Sequence, residues 1–292
     1  MKNAYYFIIN PASNRGNNGA EKKIVAFFKN RDEKFKIALW ADGIKVEELV
    51  NASKEDGYNT VVACGGDGTI MEVGRSLMNS TQTLGIISLG SGNGIARHFG
   101  IPTSINKALK ILVKNKTQKM DVGQVNDHLF FGNIGLGIEA NFIKHYQRER
   151  IHGIKGYFMA AIKALRTYKY PSLSYTIDEE TKNVYPLIFM LSNTNEQGYG
   201  FSLTPSAKTD DGMLNLSIVG RQTSWRIFTF SIEMLLFKRP LRKKMIVNQL
   251  VNEIKITSPF PVQFELDGEY FSLSKKEAHI RVLTKAIDIV TP

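Results

Sequence analysis

Strand-like and helix-like segments alternate through the first 123 residues, and this alternation restricts the fold more than any other feature of the chain. Apolar runs typical of buried strands stand at 4–10, 35–41, 59–66 and 83–90, and runs typical of helices lie between and after them. This pattern predicts βαβ units and a parallel sheet with helices on both faces. Ligands of such sheets bind beyond the carboxyl ends of the strands, so a site is expected in the loops there.

The second part of the chain has a different pattern. From Gly123 onward short strand signals dominate, with a helical stretch from about Asn141 to Tyr168 among them. The pairs Asn126-Asp127 and Asp267-Gly268 are typical of turns between antiparallel strands. We therefore predict the α/β class with two domains: a Rossmann-like parallel α/β domain at 1–123, to which 280–292 returns, and an antiparallel β-sandwich at 124–279.

The composition excludes several classes of protein. Of 292 residues, 43% are hydrophobic and 22% charged, which is typical of a globular chain and not of a disordered one. The single cysteine, Cys64, excludes an intrachain disulfide, and the first residues lack a signal-peptide pattern. No apolar run reaches the ~20 residues of a membrane-spanning helix. We expect a cytoplasmic protein, with peripheral attachment to the inner face of the membrane left open.

The formal net charge of +11 predicts an anionic partner, which could be nucleic acid, a membrane surface or a phosphorylated substrate. The sequence contains no nucleic-acid recognition motif, so a nucleic-acid partner is not expected. The clearest candidate for a membrane contact runs from Trp225 to Lys244, where an aromatic and apolar stretch is followed by a basic cluster. A helix packed on the sandwich with a solvated basic end explains this pattern at least as well.

Three loops rich in glycine or small polar residues follow predicted strands. The first contains Asn10, Ser13 and Gly16; the second is Gly65-Gly66-Asp67-Gly68-Thr69; the third holds Gly90, Ser91, Gly92, Asn93 and Gly94. Any one of them could be an ordinary tight turn. Together they predict a shared phosphate site, because glycines let phosphate oxygens reach backbone N–H groups. Asp67 would repel phosphate unless a cation lies between them, which indicates Mg²⁺. The P-loop pattern G-x-x-x-x-G-K-[ST] does not occur in the sequence, so a kinase of the P-loop type is not expected.

The stretches INPAS, GGDGTIMEV, LGIISLGSGNGIAR and ELDGEYF resemble, in order and spacing, the diacylglycerol kinase catalytic-domain family. That family groups bacterial soluble lipid kinases with sphingosine kinases and is related to nicotinamide-dinucleotide kinases. The resemblance covers almost the whole chain. It implies an enzyme that uses ATP and Mg²⁺ to phosphorylate a lipid hydroxyl, of the diacylglycerol or sphingoid-base type. Relatives of this kind are often homodimers.

The resemblance also implies roles for individual residues. The nucleotide would be held by Asn10, Ser13, Gly65, Gly66, Asp67, Gly68, Thr69 and Ser91. Leu39 is the position nearest to one where the family often has a nucleotide-contacting Thr. Asp67 would order magnesium-bound water near the phosphates. Glu269 would be the general base that takes the proton of the lipid hydroxyl, a role compatible with a rigid turn at Asp267-Gly268.

A second, structural Mg²⁺ is implied for the stretch TPSAKTDDGMLNLSIVG. It would use the carboxylate of Asp211 and the backbone carbonyls of Lys208 and Met213, an oxygen-only set that suits this hard cation. The alternative interpretation is a loop with a turn at Asp211-Gly212.

Two positions depart from the family pattern. Gly94 stands where many relatives have an acid, and Met71 stands where Asn is usual. Two other functions therefore remain open: a dinucleotide kinase of the same superfamily, and a nucleotide or lipid binder without catalysis.

Overall fold

The computed structural model describes residues 3–13, 19–148, 153–197, 202–237 and 246–292. The chain divides into two compact units. The first comprises the residues up to Val122 together with Thr284–Pro292, and the second takes in most of the chain from Gly123 to Leu283.

The first unit is a parallel α/β structure. Its elements are β1 (Ala4–Ile9), α1 (Ala20–Phe28), β2 (Lys34–Leu39), α2 (Val46–Glu55), β3 (Thr60–Gly65), α3 (Asp67–Ser76), β4 (Thr83–Ser88), α4 (Gly94–His98), α5 (Ile105–Lys114) and the first part of β5 (Thr117–Val125). The strands lie in the order β2-β1-β3-β4, and each neighbouring pair is parallel. The end of β16 (Glu277–Val290) pairs in parallel with β4. The predicted fold class is confirmed for this unit.

Burial explains why these segments form these elements. Strands β1 and β3 are buried along their whole length, as expected where helices cover both faces of a parallel sheet. Helix α5 instead buries Ile105, Ala108, Leu109 and Leu112, the spacing of a single helical face. Cys64 is fully buried in β3, and this burial raises the pKa of its thiol.

The second unit is an antiparallel β-sandwich with helices. Its elements are β6 (His128–Phe130), β7 (Asn133–Gly135), α6 (Ile138–Arg148), α7 (Gly153–Thr167), β8 (Leu173–Ile177), β9 (Glu180–Val184), β10 (Pro186–Ser192), β11 (Leu214–Gly220), α8 (Ser224–Phe237), β12 (Val247–Val251), β13 (Glu253–Thr257), β14 (Gln263–Leu266), β15 (Glu269–Ser272) and the first part of β16.

Two antiparallel layers enclose the core of this unit. One sheet has the order β12-β11-β10-β7-β14-β15, and the first part of β16 pairs with β13, β13 with β8, and β8 with β9. Buried side chains from both layers form one cluster, in which the rings of Tyr175 and Phe189 meet at 5.6 Å. The predicted sandwich is confirmed.

Helices cover parts of the second unit. The predicted helical stretch appears as α6 and α7, joined where Asn141 Nδ2 donates to the carbonyl of Ala164 at 3.1 Å. Helix α8 packs Phe230 against Ile188 and Met190 of β10. Within the described part of the chain, no helix has the length and apolar content needed to cross a bilayer.

Candidate active site

The loops that follow β1, β3 and β4 lie side by side, because these strands are parallel neighbours. The backbone N–H of Asn10 donates to the carbonyl of Cys64 at 3.0 Å, and that of Leu89 donates to the carbonyl of Gly65 at 2.7 Å. The three predicted phosphate loops therefore meet at one edge of the sheet, as the strand order requires. Gly16 of the first loop lies outside the described residues.

The second and third loops meet backbone to backbone at Gly66 and Gly90. A Cβ atom on Gly90 would lie 2.7 Å from the Cα of Gly66 and 2.9 Å from Oδ1 of Asn93. A Cβ on Gly65 would overlap the side chain of Thr69. Such separations are far below the optimal distance between carbon atoms. Gly65 and Gly90 are therefore required by packing within the protein, whether or not a ligand binds.

Gly68 is different. It is exposed in the first turn of α3, and a Cβ added to it would meet no atom within 4 Å beyond its chain neighbours and the backbone of its own helix. The space beside Gly68 is open, so a ligand can approach the backbone N–H groups at the start of the helix. The helix dipole favours negative charge there.

Asn10 holds the first loop against the second. Its Nδ2 donates to Oγ1 of Thr69 at 3.0 Å, while its Oδ1 accepts the N–H of Ala12 at 2.9 Å. The carbonyl of Asn10 accepts both the backbone N–H and the hydroxyl of Ser13, at 3.2 and 2.8 Å. Asn10, Ser13 and Thr69 thus form a connected set that fixes the loop backbone.

Asp67 links the second loop to the third. It is the first residue of α3, and its Oδ1 accepts the backbone N–H of Ile95 in α4 at 3.2 Å. Burial raises the pKa of the Asp67 carboxyl, and the neighbouring backbone N–H groups of Gly94, Ile95 and Asn93 oppose that rise. A Cβ on Gly92 would lie 3.2 Å from the other oxygen, Oδ2.

The remaining predicted nucleotide contacts lie at the same edge of the sheet. Leu39 is the last residue of β2, pairs with Ile9, and is 52% exposed. Its side chain is apolar and offers no hydroxyl to a ligand. Ser91 is exposed in the third loop, and buried Asn93 shapes that loop with a left-handed φ of 53° and a bond from Nδ2 to the carbonyl of Gly90 at 2.7 Å.

In the second unit, Glu269 begins β15 directly after a tight turn. Asp267 and Gly268 both have positive φ, 50° and 89°, as a two-residue hairpin turn requires. Glu269 pairs with Leu266 across the hairpin, and its side chain is exposed. The predicted turn is confirmed, and the carboxylate of Glu269 is accessible from solvent.

The Asp267 carboxylate ties this turn to the loop between β6 and β7. Its Oδ2 accepts the N–H of Phe131 at 2.7 Å, and its Oδ1 accepts those of Gly132 and Asn133 at 2.7 and 2.9 Å. Hydrogen bonds to an ionised acceptor are stronger than neutral ones. The turn before Glu269 is therefore firmly held by residues more than a hundred positions away in the chain.

Two acids with buried carboxylates, Glu265 of β14 and Glu139 of α6, pack against the same glycine and were not predicted from the sequence. Glu265 accepts the N–H of Gly268 at 2.9 Å through Oε2 and the side-chain amide of Asn133 through Oε1. A Cβ on Gly135 would lie 2.7 Å from Cβ of Glu139 and 3.2 Å from Cγ of Glu265, so both acids pack over this glycine.

Both acids are forced toward their neutral forms. Burial, reinforced by the charges of Asp267 and Glu139, raises the pKa of Glu265 to about 8. Burial also raises the pKa of Glu139 to about 7. The sequence feature that could have indicated this pair is Gly135, because a glycine leaves room for two side chains on one face of β7.

The stretch predicted to hold a structural metal forms the loop before β11 and the strand itself. Thr204, Ala207 and Thr209 of the loop are buried. Asp211 Oδ1 accepts the N–H of Met213 at 3.1 Å, and the side chains of Lys208 and Asp211 are exposed. Among the residues that the structure describes, no three His, Cys, Asp or Glu side chains are grouped so that they could hold a metal. The oxygen set of Lys208, Asp211 and Met213 stays a prediction.

Comparison with known families matches both parts of the chain. Residues 4–125 match the diacylglycerol kinase catalytic domain. Residues 132–291 match the YegS C-terminal NAD kinase beta sandwich-like domain.

Individual relatives cover most of the chain. The "Probable lipid kinase YegS-like" of Citrobacter koseri is 30% identical, over 88% of this chain and 87% of the relative. The "Diacylglycerol kinase" of Staphylococcus haemolyticus is 29% identical, over 86% and 76% of the two chains. A crystal structure of a diacylglycerol kinase from Bacillus anthracis superposes with a TM-score of 0.75, covers 100% of this chain and 97% of that one, and is 18% identical. That structure supports the fold.

Proposed function

The chain belongs to the diacylglycerol kinase catalytic-domain family, and on this premise we propose that it transfers the γ-phosphate of ATP to a lipid hydroxyl with the help of Mg²⁺. The main support for the proposal is that three loops meet at the carboxyl ends of β1, β3 and β4. Asp67 lies between two of these loops. Glycine backbone and a carboxylate at one sheet edge are what a magnesium nucleotide needs.

The nucleotide phosphates would bind at the start of α3. The open surface at Gly68 supports this position, because backbone N–H groups there can be reached without a side chain in the way. The connected set of Asn10, Ser13 and Thr69 keeps the adjacent backbone in place. Ser91 and Leu39 would line the same nucleotide site.

Asp67 fits a role in holding Mg²⁺. This ion usually keeps several waters and is bound by one or two carboxylates together with substrate phosphates, so a single aspartate is sufficient. One oxygen of Asp67 is engaged by Ile95, and the other, beside Gly92, would face the ion or its waters. Mg²⁺ bound there would neutralise charge on the phosphates during transfer.

Glu269 would act as general base toward the lipid hydroxyl. It is exposed, so an acceptor can reach it, and the turn before it is held by Asp267 and Glu265. A carboxylate that is fixed in position can accept the hydroxyl proton as the oxygen attacks phosphorus. The name of one relative, "Diacylglycerol kinase", favours diacylglycerol as the acceptor. The family resemblance implies sphingoid bases as the next class.

A second Mg²⁺ would bind the loop of Lys208, Asp211 and Met213 and stabilise it without taking part in transfer. Carboxylate and carbonyl oxygens suit the ion, and the exposed position lets it exchange with solvent.

The test is transfer of labelled γ-phosphate from ATP-Mg²⁺ to a panel of lipids in mixed micelles, with NAD as a separate acceptor. Wild type is compared with Asp67→Ala and Glu269→Gln. Glu277→Gln is the matched control for the latter, because Glu277 is likewise an exposed glutamate at the first position of a strand.

We expect label in a lipid, lost with Asp67→Ala and Glu269→Gln and kept with Glu277→Gln. Label in NAD alone would assign a dinucleotide kinase. ATP binding without label in any acceptor would assign a binder.

A further inference from the structure

Helix α8 carries a row of large apolar side chains that face solvent. Trp225, Phe228, Ile232 and Leu236 are 71%, 55%, 40% and 68% exposed. Their spacing of three, four and four residues places them on one face of the helix. The rings of Trp225 and Phe228 are 5.7 Å apart. We refer to these four side chains as the outward stripe.

The outward stripe is not needed to hold the helix on the sandwich. The opposite face does this, with Phe230 buried and Ile227 partly buried against Met190 of β10 and Val219 of β11. Apolar faces on both sides are unusual in a surface helix, which ordinarily turns a polar face to water. A contiguous exposed apolar patch marks a surface that binds something else.

The charges on α8 and in the sequence that follows it indicate what covers the outward stripe. In the sequence, five of the eight residues at 238–245, directly after the helix, are Lys or Arg. Arg226 in the first turn is exposed, and Glu233, the acid of this helix, is partly buried. Aromatic and apolar side chains beside basic residues are typical of helices that lie in the interface of an anionic bilayer.

We propose that α8 docks the protein onto anionic membranes, with the outward stripe seated at the boundary between headgroups and acyl chains. Trp225 and Phe228 suit this depth, since aromatic rings concentrate at membrane interfaces. The basic residues that follow in the sequence add attraction to anionic headgroups.

A second copy of the chain is a weaker candidate for the occupant. A symmetric contact through α8 would join identical surfaces, so each copy would bring an exposed Arg226 and a formal net charge of +11. Like charges at such a contact repel, whereas anionic lipids neutralise them.

The inference goes beyond the proposed function, because attachment would be the same for any lipid acceptor. It is tested without ATP, by flotation of the full chain with vesicles of phosphatidylcholine alone or of equal parts phosphatidylcholine and phosphatidylglycerol. The variants are Phe228→Ala and Phe228→Ala with Leu236→Ala. Phe260→Ala is the matched control, because Phe260 is 74% exposed but lies in the turn between β13 and β14.

We expect wild type and Phe260→Ala to float with the anionic vesicles and to bind the neutral ones more weakly. Each truncation in the outward stripe should weaken partitioning by about tenfold. Wild type that does not float, or stripe variants that float as well as wild type, would overturn the proposal.

A second measurement locates the helix directly. The chain has two tryptophans, Trp40 and Trp225, so the difference between wild type and Trp225→Phe reports on the stripe. Brominated lipids should quench the wild type and leave Trp225→Phe unquenched. Equal quenching of both would reject insertion of α8.

Sedimentation without vesicles tests the alternative occupant. If Phe228→Ala converts a dimer into a monomer while vesicle binding stays unchanged, a second copy covers the stripe. The stripe variants should retain phosphate transfer to a water-soluble short-chain diacylglycerol. Failure of the docking proposal is thereby distinguished from failure of the kinase proposal.

Discussion

Gly66 and Gly90, each in a different loop, face each other so closely that a Cβ on Gly90 would stand 2.7 Å from the Cα of Gly66. The contact between these two backbones thus sets the distance between the two loops. Gly90 is therefore required by packing within the protein. Gly68 differs, because the space around it is open.

Gly90→Ala should destabilise the protein by about 1–3 kcal/mol, because its methyl group has no room without backbone movement. Gly68→Ala is the matched comparison. It should leave the free energy of unfolding unchanged or slightly higher, since alanine is the better helix residue, and should instead weaken ATP binding. Urea unfolding and ATP titration of both variants provide the check. Equal stability of the two variants would contradict the assignment of Gly90 to packing.

Asp67→Asn should reduce phosphate transfer without reducing the stability of the fold. Asparagine keeps an oxygen for the N–H of Ile95 and removes a charge that burial disfavours, so the free energy of unfolding should not fall. Phosphate transfer should drop by about a hundredfold or more, because the charge proposed to hold Mg²⁺ is lost. Glu47→Gln, which changes an exposed acid in the first turn of α2, is the control and should alter neither quantity. A folded, fully active Asp67→Asn would remove Asp67 from the catalytic scheme.

Asp267→Asn should destabilise the second unit by about 3 kcal/mol, because the amide nitrogen of asparagine cannot accept and at least one of the three backbone N–H groups loses its acceptor. Glu269→Gln, two residues away, should change stability by less than about 0.5 kcal/mol, since its side chain is exposed. Thermal or urea unfolding distinguishes the two variants. A comparable loss from both would mean that the Asp267 bonds do not anchor the turn.

Stability should fall as pH rises from mildly acidic to mildly alkaline. Glu265 titrates near 8 in the folded protein, against an ordinary value of 4.5. Between these values the native state binds more protons than the unfolded state, so each rise in pH favours unfolding. The contribution is fully present below 4.5 and is lost as pH passes 8.

Glu139, whose pKa is about 7, adds to this decrease of stability with rising pH. Urea unfolding across this pH range measures how the free energy of unfolding depends on pH. Glu265→Gln should flatten the slope, whereas the control Glu277→Gln should leave it as in wild type. A slope that Glu265→Gln does not change would show that another group is responsible.

Local pattern was enough to predict most of the first unit. Largely apolar strands such as β1 and β3, separated by helices, are typical of a parallel sheet, and such a sheet brings the loops at its strand ends together. The loops that carry Asn10 and Thr69 were predicted to share one site, and they meet because β1 and β3 are neighbouring strands. Helix α4, only five residues long, gave no periodic signal and was not predicted.

Contacts between distant segments could not be predicted in the same way. The pair Asp267-Gly268 identified a turn, but the three N–H groups that fix it lie in another loop. Glu265 alternates with Phe264 and Leu266 along β14, so the pattern places it on the polar face, yet it is buried. Which face of a strand is covered depends on packing across the fold, and a strand's own residues do not encode it.

The burial of Cys64 has a practical consequence. As the single thiol of the chain, enclosed in a central strand and with ionisation disfavoured, it should remain inert toward alkylating reagents in the folded protein. A cysteine introduced at an exposed position, such as Trp225→Cys, would then carry a spin label or fluorophore without background. The wild-type chain is thus a ready host for site-specific probes.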